Sequence, residues 1–117
     1  MTKYKKGIGA WGEGIAADWM IERGYQVIAR NVRTPYGEID IVAQQGDMTF
    51  FVEVKTLTSS AKNFPEANIT PSKQQHMLNA AQHYADEHEV DHWQVDAIAV
   101  EGKPGTKPII THFENVV

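Results

Sequence analysis

The stretch that most constrains the fold is Gly37 to Lys55, GEIDIVAQQGDMTFFVEVK. Two runs rich in Ile, Val and Phe flank Gly46-Asp47, and glycine at the first loop position suits a tight hairpin turn. With a two-residue loop, Gln45 faces Met48, Asp40 faces Glu53 and Glu38 faces Lys55. A four-residue loop keeps that register, whereas a three-residue loop turns the partners to opposite faces. Alternation then gathers Ile39, Ile41, Ala43, Phe50, Val52 and Val54 on one apolar face, suited to a core. The other face carries Glu38, Asp40, Glu53 and Lys55 at its open end, with Val42 and Phe51 towards the turn. Facing pairs stand roughly 4.5–5.5 Å apart, so an acid opposite an acid costs stability unless a proton or cation lies between them. Mg²⁺ or Mn²⁺ would serve, as hard cations that select oxygen ligands. A solvated face with an ordinary Glu38–Lys55 ion pair also fits the hairpin taken alone.

The flanking chain reads as support for this hairpin. Residues 1–6 form a short basic tail, expected to be mobile. From Gly7 to Arg23, Ile8, Trp11, Ile15 and Trp19 recur at helical steps, and Gly24 caps the end. On that helix Glu13 lies roughly 160° from the Asp18/Glu22 stripe, among Gly9, Ala16, Ala17 and Met20. An acid leaning inward there needs a partner, unless it snorkels to water. The two tryptophans suit a core better than a base-stacking platform. Tyr25 to Arg33 reads as a strand leading through a Pro35–Gly37 turn into the hairpin. Thr56 to Ile69, containing Lys62, is a long polar loop placed to cover the acidic face. Thr70-Pro71 starts a second helix, running to about Glu87, with Met77, Ala81, Tyr84 and Ala85 inward. Lys73 in its first turn, beside free N–H groups, favours an anion such as phosphate. Trp93 to Val100, with Asp96 inside it, and Pro108 to Phe113 read as strands. The order α-β-β-β-α-β-(β) predicts one α/β domain, a mixed central sheet flanked by two helices.

Composition narrows the chemistry. The chain has no cysteine, which excludes disulfides and thiolate metal sites and suits a reducing cytoplasm. No long apolar run or signal-like segment occurs, so neither secretion nor a membrane span is expected. The net charge of −4 argues against a protein that coats DNA. It is unevenly spread: residues 1–62 carry eight Lys/Arg against seven Asp/Glu, and residues 63–117 three against eight. Lys3, Lys5, Lys6, Arg30 and Arg33 thus share the half that holds the candidate metal acids, which keeps nucleic acid open as a substrate. The histidines show no compact zinc-ligand pair with a third ligand nearby. No G-x-S-x-G elbow supports a serine hydrolase.

Taken in order, Gly12-Glu13, Asn31-x-Arg33, Gly37-Glu38-Ile39-Asp40, Phe51-Val52-Glu53-Val54-Lys55, Ile69-Thr70-x-x-Lys73 and Val95-Asp96 resemble the YraN-like family of small bacterial nuclease-fold proteins. That family is similar to Holliday-junction resolvases and sits within the PD-(D/E)xK, restriction-endonuclease-like superfamily. The resemblance covers about residues 7–113. It implies an αβββαβ core and a Mg²⁺- or Mn²⁺-dependent DNA endonuclease, acting on branched or damaged forms. Asp40 and Glu53 would be metal ligands, helped by the Val54 carbonyl, with Glu13 completing the site directly or through water. Lys55 would hold the attacking water or the scissile phosphate. Lys73, Arg33 and Lys62 would contact nucleic acid, and a homodimer follows by analogy with resolvases. Glu38 is read as a neighbour of Lys55 rather than a ligand. The pattern departs from the superfamily at Ile39, where its motif has Pro. It departs from the YraN-like pattern at Leu57, where Arg is frequent, and it lacks the RecB-like Gln-x-x-x-Tyr, since Leu78 follows Gln74. The alternatives are a non-catalytic nucleic-acid-binding module or an adaptor of a repair or recombination assembly.

Overall fold

The computed structural model describes residues 3–57 and 69–117. The elements, in chain order, are helix α1 (Lys3–Glu22), strands β1 (Gln26–Thr34), β2 (Gly37–Gln45) and β3 (Met48–Leu57), helix α2 (Pro71–Glu87), and strands β4 (Trp93–Glu101) and β5 (Ile109–Phe113). The sheet order is β1-β2-β3-β4-β5. All neighbours are antiparallel except β3 and β4. That parallel pair needs a crossover, and α2 provides it. The architecture is the α/β arrangement expected, with a fifth strand completing a mixed sheet.

Two boundaries differ from the sequence reading by two residues or more. Helix α1 begins at Lys3, so residues 3–6 are helical rather than a loose tail. Tyr4, Lys5 and Lys6 include no helix breaker, and each residue added to an existing helix gains a backbone hydrogen bond. Strand β3 continues through Thr56 and Leu57, pairing with Val100 and Glu101, where a loop was expected. The rest of that loop, including Lys62, lies outside the described residues.

The helices cover opposite faces of the sheet. On one, Ala16, Ala17 and Met20 of α1 pack on Ile41, Ala43, Phe50, Val52, Ile98 and Val100. On the other, Ala80, Ala81, Tyr84 and Ala85 of α2 pack on Val42, Phe51 and Val95. The alanines matter because a small side chain lets a helix backbone approach the sheet closely. Val42 and Phe51, near the turn on the hairpin's polar-ended face, are therefore core for α2. Phe51 is 2% exposed and meets the rings of Tyr84 and Trp93 edge-on at 5.4 and 5.5 Å. Thr70 caps α2 by accepting the Lys73 N–H at 3.1 Å, with Pro71 as the first helical residue.

The hairpin register holds at the turn and fails at the open end. Gln45↔Met48 through Ile41↔Val52 pair as predicted around Gly46-Asp47, and the left-handed φ of Gly46 is +62°. The ladder stops there. Asp40 and Glu53 are not paired across it, nor are Glu38 and Lys55. The physical reason is a substitution of partners: Asp40 Oδ2 accepts the Val54 N–H at 2.8 Å, so a side chain takes the place of a strand carbonyl. At the same point Ile39 leaves the face of Ile41 and Ala43 and packs with the α2 cluster instead.

Candidate metal centre

Three elements meet where β2 parts from β3. The first is α1. Gly12 is buried against β3, and a Cβ there would overlap the Thr56 hydroxyl. Only glycine permits that approach, and the next residue is Glu13. The second is β2, whose Glu38 and Asp40 carboxylates converge where its alternation is interrupted. The third is β3, which contributes Glu53 and the Val54 N–H.

Glu13, Glu38 and Asp40 each bring a carboxylate oxygen to within 4.8 Å of the other two. Glu13 is half-buried, Asp40 more deeply so, and Glu38 exposed. Burial raises the Asp40 pKa to about 7 against an ordinary 3.8; the Val54 N–H opposes the rise, while Glu53, Glu13 and Glu38 add to it. Burial also lifts Glu13 above its ordinary value, with Glu38 and Glu53 adding, and with Arg30 and a hydrogen bond from Asn31 opposing. The donors are all carboxylate oxygens, the set that suits Mg²⁺, Mn²⁺ or Ca²⁺ and not a soft metal. A divalent cation among them would relieve the repulsion that lifts Asp40, so the residues fit such an ion.

The remaining predicted residues fall around this group. Glu53 is half-buried and near enough to raise both Asp40 and Glu13, yet it stands outside the group of three. Its Oε2 lies 3.3 Å from Lys73 Nζ, which reaches it from the first turn of α2. Lys55 is exposed, and among the described residues no ion pair includes it. Glu38 instead lies 4.0 Å from Arg33, its partner across β1 and β2, so the expected Glu38–Lys55 pair does not form. Val54 takes part through its N–H. A cleft of about 520 Å³ opens beside the acids, with Tyr36, Glu38, Asp40, Glu53, Ser72 and Lys73 among its lining residues.

Glu38, Arg30 and Asn31 are the residues whose place at the site the sequence reading missed. Glu38 had a signal, since alternation places it beside Asp40; pairing it with Lys55 hid it. Asp96 is different. It is wholly buried on β4, where its carboxylate accepts from Gln94 Nε2 and the Asn115 N–H, both at 2.9 Å. It also meets His112 Nε2 at 2.8 Å. That network ties β4 to β5 and the C-terminal residues, away from the acids.

Residues 12–100 match the uncharacterised protein family UPF0102. The chain belongs to this family. A UPF0102 protein of Syntrophotalea carbinolica is 40% identical over 115 residues, spanning 97% of this chain and 93% of its own. One from Dehalococcoides mccartyi is 35% identical over 103 residues, spanning 86% and 85%. One from Lachnoclostridium phytofermentans is 48% identical over 80 residues, 68% of each chain. Among solved structures, Pyrococcus furiosus SfsA in complex with Ca²⁺ aligns with 94% of this chain at a TM-score of 0.41 and 14% identity; the chain spans 63% of that protein's length. The UPF0102 match starts at Gly12 and ends at Val100, so it contains the acids, Asn31 and Lys73. Among the described residues no helix is long and apolar enough to cross a membrane.

Proposed function

We propose that the protein is a Mg²⁺- or Mn²⁺-dependent endonuclease of the PD-(D/E)xK type, hydrolysing phosphodiester bonds of branched or damaged DNA. The observation that carries this reading is the convergence of Glu13, Glu38 and Asp40 within 4.8 Å at a cleft, with Asp40 lifted to about 7. Such crowding is costly in a protein without a cation and useful in one that holds it. Glu13, Glu38 and Asp40 would hold the ion, with Glu53 beside them. The metal would supply a bound water of lowered pKa and neutralise charge on the phosphate. The chain's own part is to hold these oxygens in place: Val54 orients Asp40, and Lys73 occupies Glu53. Lys73, at the N-terminus of α2 on the cleft wall, and Arg33 beside Glu38 are placed to meet a phosphate backbone. Lys55 is the candidate for the scissile phosphate or attacking water.

A second reading, a nucleic-acid-binding module without catalysis, draws on the outward Lys55 and on the Lys73–Glu53 ion pair. One experiment separates them. Purified protein is incubated with Mn²⁺ and duplex, flap and four-way-junction DNA, beside Asp40→Ala and Glu13→Ala. Metal-dependent cleavage by the parent alone is expected. Salt-dependent binding without cleavage would favour the module, and cleavage undiminished in both variants would sink the catalytic assignment.

A further inference from the structure

Tyr36 is a large side chain left in the open, with 48% of its surface exposed. It stands between β1 and β2, and the Thr34 side chain ties that turn together. Thr34 Oγ1 accepts the Tyr36 N–H at 3.1 Å and donates to the Gly37 carbonyl at 2.6 Å. The ring is held as well. It meets the His83 ring of α2 at 6.1 Å and 64°, and His83 Nε2 lies 3.3 Å from Glu87 Oε1. An exposed aromatic with a tied backbone and a buttressed ring has little conformational freedom to lose when a flat ligand packs on it.

The cleft that Tyr36 lines decides what such a ligand is. At about 520 Å³ it also takes in Glu38, Asp40, Glu53 and Lys73, and it falls among the volumes of sites that bury molecules of nucleotide size. Tyr36 is two residues from Glu38, a reach of at most about 7 Å, so a ligand on the ring lies next to the acids. A cationic side chain and an aromatic ring bordering one groove suit a single nucleic-acid strand, the first meeting its phosphates and the second its bases. Inside a duplex, stacked bases offer only their edges to the grooves. A base must leave the stack before an aromatic ring can lie on it.

We infer that Tyr36 is a base-stacking residue of the cleft, which makes the preferred substrate DNA with unpaired bases beside the cleaved bond, such as a flap, over continuous duplex. The position of that base relative to the cleaved bond rests on the nuclease reading of the acids. Every base has a π-face, so the preference is for unpaired structure and not for sequence.

The test is fluorescence anisotropy of labelled DNA with the full chain in Ca²⁺, with cleavage followed separately in Mn²⁺. Three DNAs are compared: a duplex, the same duplex with a single-stranded flap, and that flap with its first unpaired nucleotides made abasic. The parent should bind the flap more tightly than the duplex and lose that preference on the abasic flap. Tyr36→Ala should bind the flap about 5–150-fold more weakly than the parent, the range that loss of one stacked base implies, and the abasic change should then cost it nothing more. Tyr36→Phe keeps the ring and should keep the preference. The abasic flap reads the same contact in the unaltered protein, so the outcome does not depend on how well a variant folds. A parental preference that survives the abasic change overturns the inference. So does a preference retained in Tyr36→Ala, or one lost equally in Tyr36→Phe, which would assign the contact to the hydroxyl. A Tyr36-dependent preference without cleavage in Mn²⁺ overturns the nuclease reading and keeps the base site, whereas a parent that binds no DNA overturns both.

Discussion

Asp40→Asn is expected to stabilise the metal-free protein while removing its response to metal. The Asp40 carboxyl sits at about 7 in the fold against an ordinary 3.8. The folded chain therefore holds this proton more tightly than the unfolded chain does. Below the unfolded value both states are protonated and the group costs nothing. As pH rises through the window from about 4 to about 7, the unfolded state ionises first, so stability falls. Above about 7 both states are ionised and the full cost remains. At 1.36 kcal/mol per unit, a shift of roughly 3 units sets an upper limit of about 4 kcal/mol. Relaxation and water at the cleft reduce it, so about 2–4 kcal/mol is the working range. The Asn side chain keeps an oxygen for the Val54 N–H and carries no charge against Glu13, Glu38 and Glu53.

For 117 residues, an unfolding entropy of about 2.1 cal/mol/K per residue converts this to roughly 8–16 °C. The assay is thermal unfolding of parent and Asp40→Asn in EDTA at pH 5 and pH 8. The variant should exceed the parent clearly at pH 8, and the gap should narrow at pH 5, where the parent's Asp40 keeps its proton. Other carboxylates contribute to both proteins and cancel in the difference. Mn²⁺ at 100 times its Kd should return about 2.7 kcal/mol to the parent and little to the variant. A variant no more stable than the parent at pH 8, or a gap that does not change between the two pH values, would refute the reasoning.

Three further substitutions probe the surroundings. Gly12→Ala should cost about 1–3 kcal/mol by overpacking against Thr56, and Thr56→Ala in the same chain should recover most of it in urea unfolding. Lys73→Met should bind Mn²⁺ more tightly in the free protein, since Glu53 loses a competing cation; in DNA binding it should lower the salt slope by about one. Asp96→Asn can keep Oδ1 for the Gln94 and Asn115 donors but puts an N–H where the charged Oδ2 meets His112 Nε2. It should cost about 1.5–3 kcal/mol and leave Mn²⁺ affinity unchanged, which calorimetry and titration would check.

How far the sequence could be read follows from the range of the interactions involved. Local signals carried well. The Gly46-Asp47 turn and period-two alternation place every pair from Gln45↔Met48 to Ile41↔Val52, because a slip of one residue would turn Ile41, Ala43, Phe50 and Val52 away from α1. The α2 start was legible because Thr70 and Pro71 act within one turn. Glu13 was legible as an inward-leaning acid because helical geometry alone sets its direction. Contacts between distant segments were not legible. Nothing near Lys73 in sequence says that it will reach Glu53, and nothing in β1 says that Arg33 rather than Lys55 will stand beside Glu38.

The open end of the hairpin was misread because it is the place where regular structure gives way. A ladder continued past Ile41↔Val52 would set Asp40 directly against Glu53 at the roughly 4.5–5.5 Å spacing of facing pairs, with like charges opposed. The fold avoids that pairing by three local departures. Asp40 turns its oxygen to the Val54 N–H and ends the ladder. Asn31 takes a left-handed backbone in the middle of β1. Gly12 gives up a side chain so that α1 can lie against Thr56. Each is unfavourable or neutral for a strand or helix considered alone, and each acts on a different element. Their common result is that Glu13 and Glu38 join Glu53 around Asp40, while Glu53 also meets Lys73. Stability alone gives no reason to gather three further acids around one buried carboxyl, whereas holding a divalent cation does.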